Sequence, residues 1–222
     1  MASTPDAVVA DPRRTRVLQA LDPALEGRLA VISGRTLSEI DRIAGGAARA
    51  AAGVHGLNRR RRDGSIHAIP PSAGVAAAVA GFHAFAAEHP GVIVEDKAVS
   101  AGLHYRGAPA AEAAARALAE DLAERAGLVV QPGKMVVELK TPGADKGTAL
   151  LAFMAEPAFT GTMPVMIGDD LTDEAGFRAA GALGGFGILV GAPRQTAARY
   201  GLTDVDAVLT WLEAVATEVQ PA

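Results

Sequence analysis

Both ends of the 222-residue chain alternate short apolar segments with helical patterns. Such alternation is typical of βα units, which build a parallel sheet with helices on both faces. At the first helix, Asp11 fits the N-cap and Pro12 the first turn. The pattern therefore predicts an α/β, doubly wound core with strands at 28–32, 51–55, 164–168 and 186–190, helices at 12–21, 145–155 and 173–181, a helix restarting at Thr36, and a final short strand and helix at 204–216.

The middle of the chain has a different pattern. Residues 57–67 resemble a hairpin, and residues 91–106 alternate as an antiparallel strand pair does. Two Ala-rich helices, at 72–88 and 109–126, and a second strand pair around a Pro-Gly turn complete the order ββαββαββ. This order predicts an open antiparallel sheet with two helices on one face. We therefore expect an inserted α/β cap domain at 58–140 and a core formed by 1–57 and 141–222.

The composition excludes several kinds of function. The chain has no cysteine, so disulfides, thiolate chemistry and Cys-bound zinc are excluded. The net charge is −4, and the basic run Arg59–Arg62 fits a solvated hairpin better than a nucleic-acid surface. No apolar run approaches the roughly 18 residues of a membrane span, and no signal-peptide pattern is present. We expect a cytoplasmic monomer that binds neither nucleic acid nor membranes.

The strongest chemical signal is the segment 165–174, VMIGDDLTDE. Asp169, Asp170 and Asp173 follow an apolar strand, and ligands of open α/β sheets bind at the carboxyl ends of strands. Clustered carboxylates repel one another unless a cation neutralises them, and hard oxygen ligands suit Mg²⁺. The sequence thus predicts a Mg²⁺ site led by Asp169. The alternative, that Asp170 or Asp173 only caps the next helix, is serious for Asp173.

Two further segments carry the residue types of a phosphate site. Ser33 ends an apolar strand and is followed by Gly34 and a helix start, where a hydroxyl and free helix N–H groups can bind an anion. Lys146 lies in the first turn of a predicted helix, where a cation opposes the helix dipole. A phosphate together with a carboxylate would explain that lysine. Taken alone, Ser33 fits an ordinary N-cap, and the Lys146 signal is weak.

In combination, these segments resemble the haloacid dehalogenase superfamily of phosphatases with a cap between the second and third motifs. Within it, the segments VISGR at 31–35, GVHG at 53–56, GKMVVE at 133–138 and GDDLTDE at 168–174 are similar to the trehalose-6-phosphate phosphatases. The resemblance spans nearly the whole chain. It implies a Rossmann-like core, Mg²⁺ as cofactor and trehalose 6-phosphate as substrate.

The resemblance also implies roles for single residues. Ser33 and Lys146 would bind the transferring phosphoryl group, and Asp169 would ligate Mg²⁺ with support from Asp170 and Asp173. Substrate binding would involve Arg35, with His55 and Gly56 near the cap hinge, and Lys134 and Glu138 on the sugar hydroxyls. Four residues apart in a strand, Lys134 and Glu138 would share a face. The alternative for those two is a cross-strand salt bridge.

One element of the resembling family is not found in this sequence. The family opens with Asp-x-Asp-Gly-Thr after a buried strand, where the first Asp forms an aspartyl-phosphate and the second is the general acid and base. Asp6 and Asp11 lack a preceding apolar strand. We therefore expect the chain to be an incomplete and inactive form of a phosphatase that converts trehalose 6-phosphate to trehalose and inorganic phosphate. The alternatives are a catalytically inactive sugar-phosphate-binding or regulatory protein, and a phosphatase for another sugar phosphate.

Overall fold

The computed structural model describes residues 10–218, which divide into two compact units. The first unit runs to His67 and resumes at Ala144, and the second unit is Ala68–Gly143. Within residues 10–218, no helix has the length and apolar character needed to span a bilayer.

The described residues form helices and strands that are numbered here in chain order. The helices are α1 (Pro12–Ala24), α2 (Leu37–Ala44), α3 (Gly74–Glu88), α4 (Glu112–Ala126), α5 (Lys146–Met154), α6 (Asp173–Ala182) and α7 (Val205–Glu218). The strands are β1 (Ala30–Ile32), β2 (Ala50–Gly53), β3 (Asn58–Arg60), β4 (Ile66–Ala68), β5 (Ile93–Asp96), β6 (Ser100–His104), β7 (Val129–Gly133), β8 (Val136–Lys140), β9 (Val165–Gly168), β10 (Phe186–Val190) and β11 (Tyr200–Leu202).

The first unit contains two sheets, in the orders β1-β2-β3-β4 and β11-β10-β9. The pairs β1–β2, β9–β10 and β10–β11 are parallel, which confirms the predicted α/β class with a parallel core. The antiparallel strand β3 extends the first sheet. The last strand, β11, lies a few residues before the predicted start at 204.

Capping side chains determine where helices α1, α2 and α5 begin. Thr36 and Glu39 form a reciprocal capping box at the start of α2. Asp145 and Thr148 do the same for α5. Asp11 caps α1 through its carboxylate, as expected from the sequence. Because the α2 cap is Thr36, Ser33 is not the ordinary N-cap that the alternative interpretation required.

The hairpin at 58–68 belongs to the core sheet, although the sequence placed it in the inserted domain. β3 pairs with β2, so the division between the units falls after His67 and after Gly143 instead of at 58 and 140. The basic run is also less solvated than predicted, since its arginines bind first-unit carboxylates: Arg59 pairs with Glu156, Arg60 with Asp41 and Arg62 with Asp22. These ion pairs hold the hairpin to the core.

The second unit is an antiparallel sheet in the order β5-β6-β8-β7 with α3 and α4 packed on it. Its interior combines strand residues such as Leu103 and Leu139 with small helix residues such as Ala78 and Ala119. The Pro-Gly pair at 132–133 ends β7, so the turn lies two residues later than predicted, at Lys134 and Met135.

An apolar groove separates β1 from β9 in the first unit. It has a volume of about 670 Å³ and is lined by both strands together with residues of α1, α5 and α7. β1 and β9 are the end strands of their sheets, so within residues 10–218 neither has a strand neighbour on this side. Ala30, Val31 and Ile32 stay half-buried, and Val165 is 40% exposed. The groove thus offers two unpaired strand edges and an apolar lining.

We expect an apolar strand placed in this groove to stabilise the protein. An N-terminal extension of about six apolar residues should raise Tm by about 10 °C. Each added hydrogen bond contributes about 1 kcal/mol, and 1 kcal/mol shifts Tm by about 2–4 °C at this size. The control extension carries proline at alternate positions and cannot pair with both edges. Equal melting temperatures for the two extensions, measured by calorimetry, would contradict the prediction.

Candidate active site

The Ser33 turn is held by backbone hydrogen bonds to the segment after β2. The amide of Ser33 donates to the carbonyl of Ala52 at 2.8 Å, and the amide of His55 donates to the carbonyl of Ser33 at 2.8 Å. The Ser33 hydroxyl oxygen accepts from the amide of Arg35 at 3.2 Å, which leaves its own hydrogen for another acceptor. This arrangement suits an anion above the turn.

Arg35, which precedes the N-cap of α2, is directed to a residue of that helix. Its guanidinium contacts Glu39 at 3.1 Å. Glu39 also accepts from the Thr36 amide in the capping box. The predicted contact of Arg35 with substrate therefore competes with an ion pair that the structure already contains.

Lys146 is the first residue of α5, and its ammonium group donates to Asp173 at 2.6 Å. Both residues are buried, at 8% and 3% exposure. The carboxylate that the lone lysine required is therefore Asp173, the first residue of α6. The two helices pack closely because Gly147 has no side chain, since a Cβ there would lie 2.6 Å from the carbonyl oxygen of Ala175.

Asp173 holds the loop that follows β9. One of its carboxylate oxygens accepts from Lys146, and the other accepts from the amides of Asp169 and Asp170 at 3.0 and 2.9 Å. This role differs from both sequence-based interpretations, because the amides precede Asp173 and are not those of its own helix. The same carboxylate explains the glycine at position 168, since a Cβ there would lie 2.2 Å from the Asp173 carboxyl carbon.

The donors available to a metal are Asp169 and Asp170. Both are exposed at the carboxyl end of β9, and Asp170 also accepts from the amide of Leu171 at 2.6 Å. Within residues 10–218, no three His, Asp or Glu side chains converge as a complete metal-binding group. Mg²⁺ usually takes one or two protein carboxylates and completes its shell with water and phosphate. These two carboxylates fit that requirement, whereas Asp173 is already engaged by Lys146 and the two amides.

Glu174 anchors a second loop beside Asp169 and Asp170. Its carboxylate accepts from the Ala197 amide and the Thr196 hydroxyl at 2.8 Å, and it pairs with Arg194. Arg194 in turn donates to the carbonyl of Asp170 at 3.0 Å. Burial alone would raise the pKa of Glu174, but these hydrogen bonds outweigh burial and lower it. The sequence analysis did not single out Glu174 or Arg194.

The second unit carries Glu138 in a polar network on β5, β6 and β8. The Glu138 carboxylate, at 6% exposure, accepts from the Ser100 hydroxyl at 2.6 Å and from Lys97 at 3.3 Å. Lys97 lies 3.5 Å from Glu95, whose pKa is lowered: burial raises it, but the hydrogen bond with His104 and the charge of Lys97 outweigh that effect. Apart from Glu138, none of these residues was identified from the sequence, although Lys97 is one of only four lysines.

Lys134 does not share a strand with Glu138. It is exposed in the turn before β8, and Met135 has a left-handed φ of 61° that interrupts the strand alternation. The argument that both residues occupy one face of a strand was therefore wrong. Glu138 pairs instead with Lys97, which follows β5, so the salt bridge between Lys134 and Glu138 that was considered as the alternative is not the one formed.

Asp173 allows a direct test of the buried pair. Asp173→Asn should lower the free energy of unfolding by about 3–5 kcal/mol, because it leaves the Lys146 charge buried without a carboxylate. Adding Lys146→Met should restore most of this loss, since the charge is gone and the Asn carbonyl still accepts from the loop amides. Urea unfolding measures both variants. A double variant as unstable as Asp173→Asn alone would refute the assignment.

The lowered pKa of Glu174 predicts how the stability of the protein depends on pH. Because its folded pKa lies below the ordinary value of 4.5, its contribution to stability is present above that value and is lost as pH falls through the folded pKa. Glu174→Gln should therefore lower Tm most above about pH 5.5, and the difference from wild type should shrink in more acidic solution. Thr196→Val should show a smaller change of the same kind. A Tm difference independent of pH would contradict this account.

Comparison with known proteins agrees with this geometry. A family model described as trehalose-phosphatase matches residues 1–206. The trehalose-6-phosphate phosphatase of Escherichia coli is 39% identical over 97% of this chain and 82% of its own length. The probable trehalose-phosphate phosphatase of Sinorhizobium fredii is 40% identical over 87% of this chain and 74% of its own.

Solved structures share the fold. The C-terminal domain of a C. albicans trehalose-6-phosphate phosphatase superposes with a TM-score of 0.85 at 20% identity, covering 98% of this chain and 87% of that one. An Aspergillus fumigatus trehalose-6-phosphate phosphatase gives a TM-score of 0.61 at 26% identity, with coverages of 98% and 88%. With the family model matching most of its length, this chain belongs to the trehalose-phosphatase family.

Proposed function

We propose that this protein is a Mg²⁺-dependent phosphomonoester hydrolase that converts trehalose 6-phosphate to trehalose and inorganic phosphate in the cytoplasm. The observation that carries the proposal is the buried Lys146–Asp173 pair beside the exposed Asp169 carboxylate. A buried ammonium group at a helix start, held in place by a carboxylate, is poised to bind an anion. The family membership identifies that anion as a sugar phosphate.

In this proposal, Ser33 and Lys146 bind the phosphoryl oxygens. The Ser33 hydroxyl has its hydrogen free to donate, because its oxygen already accepts from Arg35. Lys146 retains two ammonium hydrogens beyond the one donated to Asp173. Asp169, with Asp170, would hold Mg²⁺, which would supply positive charge near the phosphate oxygens. Asp173 acts on both groups indirectly, through Lys146 and through the loop amides.

The sugar is recognised, in this proposal, by the second unit. Glu138 is held by Ser100 and Lys97, which fixes the direction of its carboxylate for hydroxyl groups. Lys134 is exposed in the β7–β8 turn, so its ammonium group is accessible to a ligand. We propose both residues, and Lys97 with them, as determinants of sugar selectivity. Of the other expected substrate residues, Gly56 packs against α5, and Arg35 remains a candidate phosphate contact.

The groove between β1 and β9 supports a proposal for the aspartyl nucleophile expected from the resemblance. We propose that this groove would accept a strand ending in Asp-x-Asp-Gly-Thr. Both strands run directly into site residues, Ser33 after β1 and Asp169 after β9. A strand between them would end at the same edge of the core, where its first Asp attacks phosphorus and its second Asp transfers the proton.

The proposal is tested by phosphate release from trehalose 6-phosphate in Mg²⁺, with a protein extended by such a strand. Asp169→Asn should lower kcat/KM by at least about 100-fold, because it removes an anionic metal ligand.

Lys134→Ala and Glu138→Ala should weaken turnover of trehalose 6-phosphate much more than that of a small aryl phosphate, because the two native side chains supply binding energy specific to the sugar. Equal losses on both substrates would contradict the proposed selectivity. Unchanged activity of Asp169→Asn would contradict the metal assignment.

A further inference from the structure

A strained segment connects the Ser33 turn to the start of α5. After β2, three successive residues adopt left-handed φ angles: Val54 at 47°, His55 at 57° and Gly56 at 103°. Such angles are rare for residues other than glycine and are genuine outliers for a β-branched side chain. Strain of this kind costs about 1–3 kcal/mol per residue and persists where surrounding structure imposes it, often at functional sites. Val54 and His55 are both buried, at 0% and 7% exposure.

The ring of His55 packs directly on Gly34. A Cβ at Gly34 would lie 2.6 Å from the His55 Nε2 atom and 2.7 Å from its Cε1 atom, closer than real Cβ contacts. Gly34 does not have a left-handed φ, so the turn itself does not require glycine there. Position 34 therefore lacks a side chain because the imidazole occupies that space.

The same segment contacts both phosphate-binding elements of the proposed site. On one side, the amides of His55 and Val54 donate to the carbonyls of Ser33 and Arg35, each at 2.8 Å. On the other side, a Cβ at Gly56 would lie 3.0 Å from the carbonyl oxygen of Asp145, the residue before Lys146. The segment is thus a spacer, in contact with the turn of Ser33 and with the cap of α5.

We propose that His55 is a positioning residue for phosphate binding. Its imidazole, fixed by the strained backbone, sets the position of the Ser33–Gly34 turn relative to α5. The Ser33 hydroxyl and the Lys146 ammonium group are then directed at one phosphate without any contact between His55 and that phosphate. This inference rests on the proposed function, and it replaces the substrate contact expected for His55 from the sequence.

The test uses the chain as it is and measures the affinity for inorganic phosphate by titration calorimetry. His55→Asn keeps a residue that tolerates left-handed φ and removes the outer ring atoms. It should weaken phosphate binding about 10-fold, which is about 1.4 kcal/mol. Thermal unfolding is measured in parallel. The change in Tm should be much smaller than the change expected if the His55 ring served only to stabilise the fold. Phosphate affinity equal to wild type would overturn the proposal.

A steric exchange provides the matched control. Gly34→Ala should weaken phosphate binding, because its methyl group collides with the imidazole and displaces the turn. In the double variant with His55→Asn, the methyl group fills the space vacated by the ring, so affinity should recover relative to Gly34→Ala alone. Residues in contact show such non-additivity. Strictly additive losses would overturn the proposal even if each single variant binds less tightly.

Ser33→Ala separates the two claims. If it weakens phosphate binding while His55 and Gly34 act additively, the proposed site stands and the positioning role is wrong. If Ser33→Ala leaves phosphate binding unchanged, or if the wild-type chain binds no phosphate, the proposed site is contradicted and the positioning role with it.

Discussion

The candidate site depends on one buried ion pair, between Lys146 and Asp173. Burying two charges is costly unless the geometry is good and the remaining lone pairs and protons are satisfied. Here the second carboxylate oxygen of Asp173 accepts two loop amides, and Lys146 retains hydrogens for a ligand. The pair therefore does two things: it joins α5 to α6, and it fixes the loop that presents Asp169. Removal of Asp173 would therefore release both Lys146 and the loop that carries Asp169.

Glycines at points of close approach make this arrangement possible. Gly147 admits the backbone of α6, Gly168 admits the Asp173 carboxylate, and Gly34 admits the His55 imidazole. At each of these positions a Cβ would lie within 2.7 Å of another atom, and none of the three has a left-handed φ. These three glycines thus serve contact between elements, and conformational freedom is not what selects them.

Sequence patterns predicted the α/β class and the helix starts well, because these follow from local features such as the Asp11 and Thr36 caps. The placement of Ser33 and Asp169 at strand ends also followed from the apolar segments before them. The partner of Lys146 did not, because Asp173 lies 27 residues away and becomes a neighbour only through helix packing. For the same reason, the contact of Glu138 on β8 with Lys97, which follows β5, was missed.

The errors have similar physical causes. The hairpin at 58–68 was assigned to the wrong unit because strand pairing with β2 is non-local, and no local pattern reveals it. Lys134 was placed on a strand face because the left-handed residue at Met135 is not glycine or asparagine, the usual signals of such a turn. The boundary at 58 depended on strand pairing, and the shared face of Lys134 and Glu138 depended on where a strand begins. Short sequence patterns specify both poorly.

The central claim is that Ser33 and Lys146 bind one phosphate beside a metal on Asp169. A crystal structure of the protein grown with Mg²⁺ and inorganic phosphate tests it most directly. The account predicts phosphate oxygens within hydrogen-bonding distance of the Ser33 hydroxyl and the Lys146 ammonium group, with Mg²⁺ coordinated by Asp169 and Lys146 still paired with Asp173. Phosphate bound elsewhere, with no contact to Ser33 or Lys146, would contradict it.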